Sequence, residues 1–130
     1  MNKTILLTGT IFGFLAIVLG AFGAHGLEKV LDAKSVDTFE VGVRYQMYHA
    51  LFLLFLGSWD GLLQKQKRIV FLAVVLGVLL FSFSIYLLAI NSLAAFDFKQ
   101  IAFITPIGGT FLIIGWFLFG YYILIKKRYK

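Results

Sequence analysis

Long apolar stretches alternate with short polar connections along the chain. Four stretches are each about 20 residues or longer, the length an α-helix needs to cross a bilayer, whereas a buried strand needs only about four to eight. The second is the least pure, since it carries Arg44, Gln46, His49 and Asp60. The pattern predicts an all-α fold, a single domain over residues 1–130 that forms a four-helix transmembrane bundle, with helices near 4–25, 38–63, 68–91 and 98–125.

Local signals at the ends of the stretches refine these boundaries. Asp37 with Glu40, and Asp97 with Gln100, have the spacing of a capping box, which places the starts of the second and fourth helices. The first stretch has an alternative interpretation as a secretory signal, because Lys3 precedes it. Its apolar run of about 20 residues exceeds the ~7–15 of a signal-peptide core, so we expect a retained helix.

Composition also favours a membrane protein. Apolar residues make up 61% of the 130 residues and charged residues 14%, with a mean hydropathy of +0.94. An average soluble domain is about 45–50% apolar and about 25% charged, so a soluble enzyme is excluded. The chain has no cysteine, which removes disulfides, thiol nucleophiles and thiolate metal ligands from consideration.

Basic residues predict the orientation of the four spans. Eight lie on the side shared by both termini and the 64–68 loop, against at most four on the other side. The positive-inside rule therefore puts both termini in the cytoplasm of a multi-pass cell-membrane protein. Basic residues beside spans normally contact anionic headgroups, so membrane lipids are the expected partners and the net charge of +6 requires no nucleic acid.

Polar residues within the predicted spans gather in the outer half of the bundle. Such groups are costly in hydrocarbon and usually face the bundle interior or water, so we expect them to line a ligand-binding pocket. Pro106 cannot donate a helical hydrogen bond, which predicts a kink beside this pocket. The candidate pocket residues are His25, Arg44, Tyr45, Gln46, Tyr48, His49, Tyr86, Thr105, Pro106, Gly108 and Gly109.

Structural interpretations of several pocket residues stay open beside the functional one. Arg44 could extend to the headgroups or pair with Glu40. His49 could form a neutral hydrogen bond within the bundle instead of relaying protons. His25 lies near a helix C-terminus, where the helix dipole favours a cation without any ligand.

Small residues recur at helical spacing in the first two spans and predict close helix packing. A stripe of this kind lets another helix approach, either within the chain or in a second copy of it. We expect packing within the chain, with dimerisation as the alternative. The residues are Gly9, Gly13, Ala16 and Gly20 in the first helix, and Gly57 and Gly61 in the second.

Catalytic motifs are missing from the sequence. Two histidines without clustered carboxylates do not make a zinc site, which needs three or four ligands at defined spacing. The chain also lacks a nucleophile-elbow, phosphate-loop or dinucleotide-binding pattern. We therefore expect a non-enzymatic protein with no catalytic residues, no metal and no cofactor.

Four motifs in a fixed order resemble the YgdD/YwdK-like family. They are GAFGAHGL at 20–27, YQMYHAL at 45–51, FSFSIYLLA at 81–89, and TPIGG at 105–109 followed by GW at 115–116. That family comprises small bacterial inner-membrane proteins with relatives in animal mitochondria, grouped under a domain of unknown function. The resemblance implies a four-helix membrane fold and no established activity. All the candidate pocket residues except Arg44 lie in these motifs.

Three functional hypotheses follow from the sequence. The first is a bundle whose pocket binds a small or lipid-like ligand or a partner membrane protein. The second is a homo-oligomeric transporter or channel subunit, since the dimensions resemble those of small multidrug exporters, although the first helix lacks their carboxylate. The third is a quinone-contacting redox accessory protein, in which Tyr45, Tyr48, His49 and Tyr86 would bond the quinone, although two histidines at different depths are poor haem ligands.

Overall fold

Four long helices account for most of the structure, a computed structural model that describes residues 2–126. Every regular element within that range is helical, which confirms the all-α prediction. The helices are α1 (Asn2–Leu27), α2 (Ala33–Ser58), α3 (Gln64–Ala89) and α4 (Ile104–Ile125). Helix α1 contains a π-helical turn at Leu19–Gly23, and 3-10 turns at Asn91–Leu93 and Phe98–Ile101 connect α3 to α4.

Three segments are long and apolar enough to cross a membrane. They are Asn2–Leu27, Gln64–Ala89 and Phe98–Ile125. Helix α2 is as long as α3, with 26 residues, but its polar side chains interrupt the apolar sequence. Polar residues in a membrane helix normally face other helices, so α2 is the helix whose surroundings matter most for a site.

Each helix packs on the next along the chain, and the contacts between them show that neighbouring helices run antiparallel. At one end, here called the Lys67 end, Lys67 Nζ donates a hydrogen bond to Asn2 Oδ1 at 3.2 Å, which joins the starts of α1 and α3. The Lys126 ammonium, after α4, lies 5.2 Å from the centre of the Trp59 ring, after α2. The opposite end, here called the Phe39 end, has a separate apolar cluster of Ala24, Phe39 and Ala89.

Helix α2 begins at Ala33 and ends at Ser58, five residues earlier at both ends than the expected 38–63. Asp32, not Asp37, is the N-cap, and its carboxylate accepts a hydrogen bond from the Ser35 backbone N–H at 2.8 Å. At the other end the backbone turns extended at Trp59, after the Trp59 N–H has bonded to Phe55 O. The expected capping box of Asp37 was therefore wrong.

Helix α4 begins at Ile104, not at residue 98. The Asp97 carboxylate accepts from Lys99 N at 3.0 Å and caps a 3-10 turn instead of the α-helix. Pro106 consequently lies in the first turn of α4, where an N–H would have no helical partner. The Ala102 carbonyl already accepts from Thr105 N at 3.3 Å, so the predicted proline kink within the helix was wrong.

The small-residue stripe of α1 lies against α2. A Cβ on Gly9 would be 3.0 Å from the Ala50 carbonyl oxygen, and one on Gly20 would be 3.1 Å from Val43 Cγ1. Gly13 faces Ala50 less tightly, at 3.7 Å, and Ala16 is fully buried. The stripe thus allows the α1 and α2 backbones to approach each other.

The two small residues expected in the second helix have different surroundings. Gly57 is opposite Leu6 of α1, whose Cγ would be 2.8 Å from an added Cβ. Gly61 lies beyond the end of α2, in the turn before α3, and the indole of Trp59 covers it. Gly57 therefore belongs to the α1–α2 contact, whereas the absence of a side chain at Gly61 leaves room for the Trp59 ring.

Glycines also set the distance between α3 and α4. A Cβ on Gly108 would overlap the backbone nitrogen of Phe81, and one on Gly115 would be 2.8 Å from Val74 Cγ2. Gly77 of α3 faces Leu112, with 2.5 Å between an added Cβ and Leu112 Cδ2. Residues this close leave no room for a side chain, so the interface requires glycine.

Substitution of Gly108 by alanine should destabilise the bundle strongly. The new Cβ must push α3 and α4 apart, and overpacking of this kind costs about 1–3 kcal/mol. Gly120→Ala is the matched control on the same helix, because nothing lies within 4 Å of a Cβ there. Thermal unfolding in detergent should show a lower midpoint temperature for Gly108→Ala than for wild type, whereas Gly120→Ala should match wild type. Equal midpoints for the two variants would contradict the observed α3–α4 contact.

The N-cap of α2 should contribute stability that depends on pH. Hydrogen bonds from Ser35 hold the pKa of the Asp32 carboxyl below its ordinary value of 3.8. A carboxyl group whose pKa is lowered in the folded state stabilises the fold at pH values above its ordinary pKa of 3.8. This stabilisation is lost as the pH falls through the folded-state pKa. The unfolding midpoint of Asp32→Ala should therefore fall below wild type at pH 7, and the gap should narrow in acid. Asp32→Asn, which keeps a capping oxygen, is the control and should show a smaller gap.

Candidate functional site: a buried polar network and the groove beside it

Gln46 joins three helices through its side-chain amide. It is fully buried in α2, and its Nε2 donates to the Phe12 carbonyl of α1 at 2.9 Å. Its Oε1 accepts from the Tyr86 hydroxyl of α3 at 2.6 Å. Gly42, one turn earlier, makes room for the Tyr86 ring, since an added Cβ would be 2.6 Å from Tyr86 Cε1. The amide therefore connects α1, α2 and α3 at a single point.

Two buried serines extend the network along α3. Ser82 Oγ donates to the Gly42 carbonyl of α2 at 2.8 Å. Ser84 Oγ donates to its own helix, at Phe81 O, and lies 2.6 Å from Thr105 Oγ1 of α4. Because Ser84 has only one hydroxyl proton, Thr105 is the donor in the contact between them. This pair connects α3 to the first turn of α4.

His49 bonds through both ring nitrogens. Its Nδ1 is 2.7 Å from the Tyr45 carbonyl, which can only accept, so Nδ1 carries a proton. Its Nε2 is 3.0 Å from Trp116 Nε1, which can only donate, so Nε2 carries the lone pair. The imidazole is therefore the neutral Nδ1–H tautomer. Phe52 packs on Trp116 with 4.5 Å between ring centres and holds the indole in place.

A groove opens beside His49 between α2, α3 and α4. Its volume is about 690 Å³, within the range of sites for drug-sized molecules. Ile113 and Phe117 on its wall are each about 70% exposed, so the groove opens to the side of the bundle. Its lining is mainly apolar, and its residues are Tyr45, His49, Phe81, Gly109, Leu112, Ile113, Trp116 and Phe117.

The structure divides the expected pocket residues into three groups. Tyr45, His49 and Gly109 line the groove. Gln46, Tyr86 and Thr105 bond to other parts of the bundle, and Gly108 is buried against α3. The remaining four are exposed and form no hydrogen bond with the network: His25, Arg44, Tyr48 and Pro106. Of these, Tyr48 packs edge-on against Tyr45, with 5.7 Å between the ring centres.

The exposed residues of the expected pocket have little in common. His25 Nδ1 is 3.8 Å from Glu28 Oε2 in an exposed pair at the Phe39 end. No ion pair joins Arg44 to Glu40 among the described residues, so of the two structural alternatives for Arg44 the pairing with Glu40 is not formed. Pro106 lies on the outside of the first turn of α4. A single pocket containing all the expected residues is therefore not formed.

Three residues of the site were missed by the sequence analysis as site residues. Ser82, Ser84 and Trp116 were visible in the FSFS and GW motifs, yet nothing in the sequence tells which helix they contact. Lys67 was counted among the lipid-facing basic residues, but it is fully buried and lies 3.8 Å from Asp60. Every buried side-chain nitrogen or oxygen within residues 2–126 has a hydrogen-bond partner.

The arrangement of these groups offers packing and hydrogen bonding more readily than acid–base or metal chemistry. Each ring nitrogen of His49 already has a partner, and the buried serines bond to carbonyls or Thr105. Within residues 2–126 no three histidine, aspartate or glutamate side chains converge on a point. The residues that face the groove and remain accessible are chiefly aromatic and aliphatic.

Apolar helices tied together by satisfied polar groups define this chain as a helical membrane protein, and comparison with known proteins gives its family. Residues 19–109 match the family described as "Protein of unknown function (DUF423)". The chain belongs to this family, and its relatives are named UPF0382 membrane proteins, which confirms the resemblance found in its motifs. No solved structure matches it.

The similar proteins are described as membrane proteins. The UPF0382 membrane protein of Staphylococcus saprophyticus is 38% identical over 89% of this chain and 92% of its own length. A UPF0382 membrane protein of Haemophilus influenzae is 38% identical over 92% of both chains. The UPF0382 inner membrane protein YgdD of Escherichia coli K12 is 38% identical over 90% of this chain and 86% of its own.

The Gln46–Tyr86 hydrogen bond should be measurable by a double-mutant cycle. Gln46→Leu leaves the Tyr86 hydroxyl and the Phe12 carbonyl short of a partner, and Tyr86→Phe leaves Gln46 Oε1 alone. Each single variant should lose about 1–2 kcal/mol of unfolding free energy, and the double variant less than the sum. Reversible unfolding in mixed detergent micelles measures all four proteins. Additive losses would mean that the two side chains do not interact.

Proposed function

We propose that this protein is a non-enzymatic, four-span membrane bundle whose lateral groove binds the apolar part of a lipid-like molecule. The observation that carries the proposal is the groove between α2, α3 and α4, lined by aromatic and aliphatic side chains and open to the side of the bundle. In a membrane, that side faces the acyl chains of the bilayer. A tail can therefore enter it without leaving hydrocarbon.

Four spans rather than three are supported by the position of α2. This helix runs antiparallel to α1 and α3 and lies between them. Its polar residues Gln46 and His49 are buried against other helices, which removes the cost of placing them in hydrocarbon. With the Lys67 end in the cytoplasm, the flanking lysines and arginines obey the positive-inside rule.

The polar edge of the groove is the Tyr45 side chain. Its ring packs edge-on against Phe81 at 5.1 Å and is 40% exposed. The Tyr45 hydroxyl forms no hydrogen bond with another described residue, unlike the Tyr86 hydroxyl. It is available to a hydroxyl, carbonyl or ester oxygen of a bound molecule, and this would orient the tail within the groove.

The hydrogen bonds of His49 and Tyr86 favour lipid binding over proton-coupled transport and over quinone binding. A proton-coupled transporter of this size needs a titratable group that is free to exchange protons, whereas both nitrogens of His49 are hydrogen-bonded. Of the four groups expected to bond a quinone, His49 and Tyr86 are already hydrogen-bonded within the bundle, which leaves only the hydroxyls of Tyr45 and Tyr48.

Filling the groove should reduce the amount of bound lipid. In Gly109→Leu the new side chain projects into the groove, because Gly109 lines it and Phe81 Cδ2 would be 3.6 Å from an added Cβ. We expect native mass spectrometry of the purified protein to show fewer retained lipid molecules. Tyr45→Phe should keep the tail site and weaken retention by about threefold, the worth of one neutral hydrogen bond.

The matched control for the filled groove is Gly120→Leu. It adds the same side chain to the same helix, at a position with open surroundings. This variant should retain lipid as the wild type does. Equal retention by Gly109→Leu and wild type, with both folded, would overturn the proposed use of the groove.

A further inference from the structure

A second cavity lies at the Lys67 end of the bundle, and it shares no lining residue with the groove. It has a volume of about 560 Å³ and lies between the turn that joins α2 to α3 and the last turn of α4. Its lining combines charged, amide and apolar side chains, unlike that of the groove. The residues are Asp60, Gly61, Leu62, Leu63, Gln66, Ile125 and Lys126.

The acidic group of this cavity is held by a buried cation. The side chain of Lys67 has no exposed surface, and its ammonium is 3.8 Å from the Asp60 carboxylate. Asn2 Oδ1 accepts a second bond from the same ammonium at 3.2 Å. The Asp60 side chain is nevertheless 88% exposed, so most of its carboxylate faces outward. Asp60 can therefore accept a second cationic partner.

The basic group of the cavity is held by an aromatic ring. The Lys126 ammonium lies 5.2 Å from the centre of the Trp59 ring, a distance suited to a cation–π contact. The Trp59 ring is itself fixed by Phe55 and Phe119, with ring centres 5.9 and 6.0 Å away. Trp59 adjoins Asp60 in the chain, and Lys126 and Asp60 line the same cavity, which therefore contains one held cation and one held anion.

An amide and apolar residues complete the lining. Gln66 Oε1 accepts from the Leu63 backbone N–H at 3.1 Å, and its two amide N–H donors form no bond with another described residue. Leu63 and Ile125 are 69% and 49% exposed and lie on the same cavity. The cavity thus has donors for an anion, an acceptor for a cation and apolar contacts for a chain.

We infer that this cavity binds the headgroup of phosphatidylethanolamine. The phosphate would accept bonds from Lys126 and Gln66, and the primary ammonium would donate to Asp60. The first carbons of the acyl chains would pack on Leu63 and Ile125. An anionic headgroup without an amine would face the Asp60 carboxylate, and a trimethylated amine has no N–H to donate to it. The inference does not depend on the groove, because it uses none of the groove residues.

Retention of lipids from a defined mixture tests this inference. The protein is reconstituted into nanodiscs of equimolar phosphatidylethanolamine, phosphatidylglycerol and phosphatidylcholine with identical acyl chains. It is then released into detergent, and the bound lipids are counted by native mass spectrometry. Wild type should retain phosphatidylethanolamine about three- to fivefold over the other two, as expected for one partly exposed charged contact.

Two variants separate the charged groups. Asp60→Asn should abolish the preference for phosphatidylethanolamine, and Lys126→Gln should lower the retention of all three lipids. Lys126→Gln leaves the Lys67–Asp60 pair intact, so it stays informative if Asp60→Asn unfolds. The matched controls are Lys65→Gln at the same end and Asp37→Asn at the Phe39 end, both exposed and outside this cavity.

Three results would overturn the inference. One is equal retention of the three lipids by wild type. The second is a preference for phosphatidylethanolamine that Asp60→Asn keeps or, if that variant does not fold, lipid retention that Lys126→Gln leaves unchanged. A third arm adds soluble phosphoethanolamine to the lipid-loaded protein, and we expect no displacement, since the acyl contacts are missing. Displacement at the lipid's own concentration would assign the site to a free amine phosphate and also overturn it.

Discussion

A hydrogen-bonding group buried among apolar helices has no water to bond, and the polar residues of α2 bring this constraint into the middle of the protein. Gln46 meets it by donating to the α1 backbone and accepting from Tyr86 of α3. His49 meets it through its own helix and Trp116 of α4. Because three of these four bonds cross to different helices, α2 specifies its neighbours as well as its own burial. Unpaired, the same groups would cost about 1–3 kcal/mol each.

Close backbone approach makes this bonding possible. Ser82 reaches the Gly42 carbonyl only because no side chain at residue 42 stands between α2 and α3. Gly9 and Gly108 have the same effect at the α1–α2 and α3–α4 contacts. The glycines and the polar side chains therefore act together: the first bring the helices near, and the second fix which helices meet and in what register. Membrane helices gain little free energy from burying apolar surface against each other, so close packing at glycines and hydrogen bonds between helices stabilise their association.

The sequence predicted the class of fold well and the details of the site poorly. Length and apolarity are properties of single segments, so the helices were evident. The start of α2 was misplaced because Asp32 and Asp37 are both reasonable caps, and only the Ser35 contact distinguishes them. The depth of the polar residues predicted that they would gather, but not that Gln46 would bond Tyr86 while Tyr45 faced a groove. Such pairings depend on how the helices rotate against each other, which hydropathy does not record.

Lys67 can act at two stages, during insertion into the membrane and in the folded protein. The orientation of a membrane protein is set while its spans enter the bilayer, before the helices have packed. In the orientation proposed above, Lys67 counts at that stage among the basic residues that stay on the cytoplasmic side. In the folded chain its side chain is withdrawn from the headgroups and holds Asn2 and Asp60. On this proposal, the charge that helps to orient the spans later becomes part of the folded bundle. Exchange of Lys67 for a neutral residue would therefore affect both insertion into the membrane and the stability of the folded protein, so the two effects would have to be measured separately.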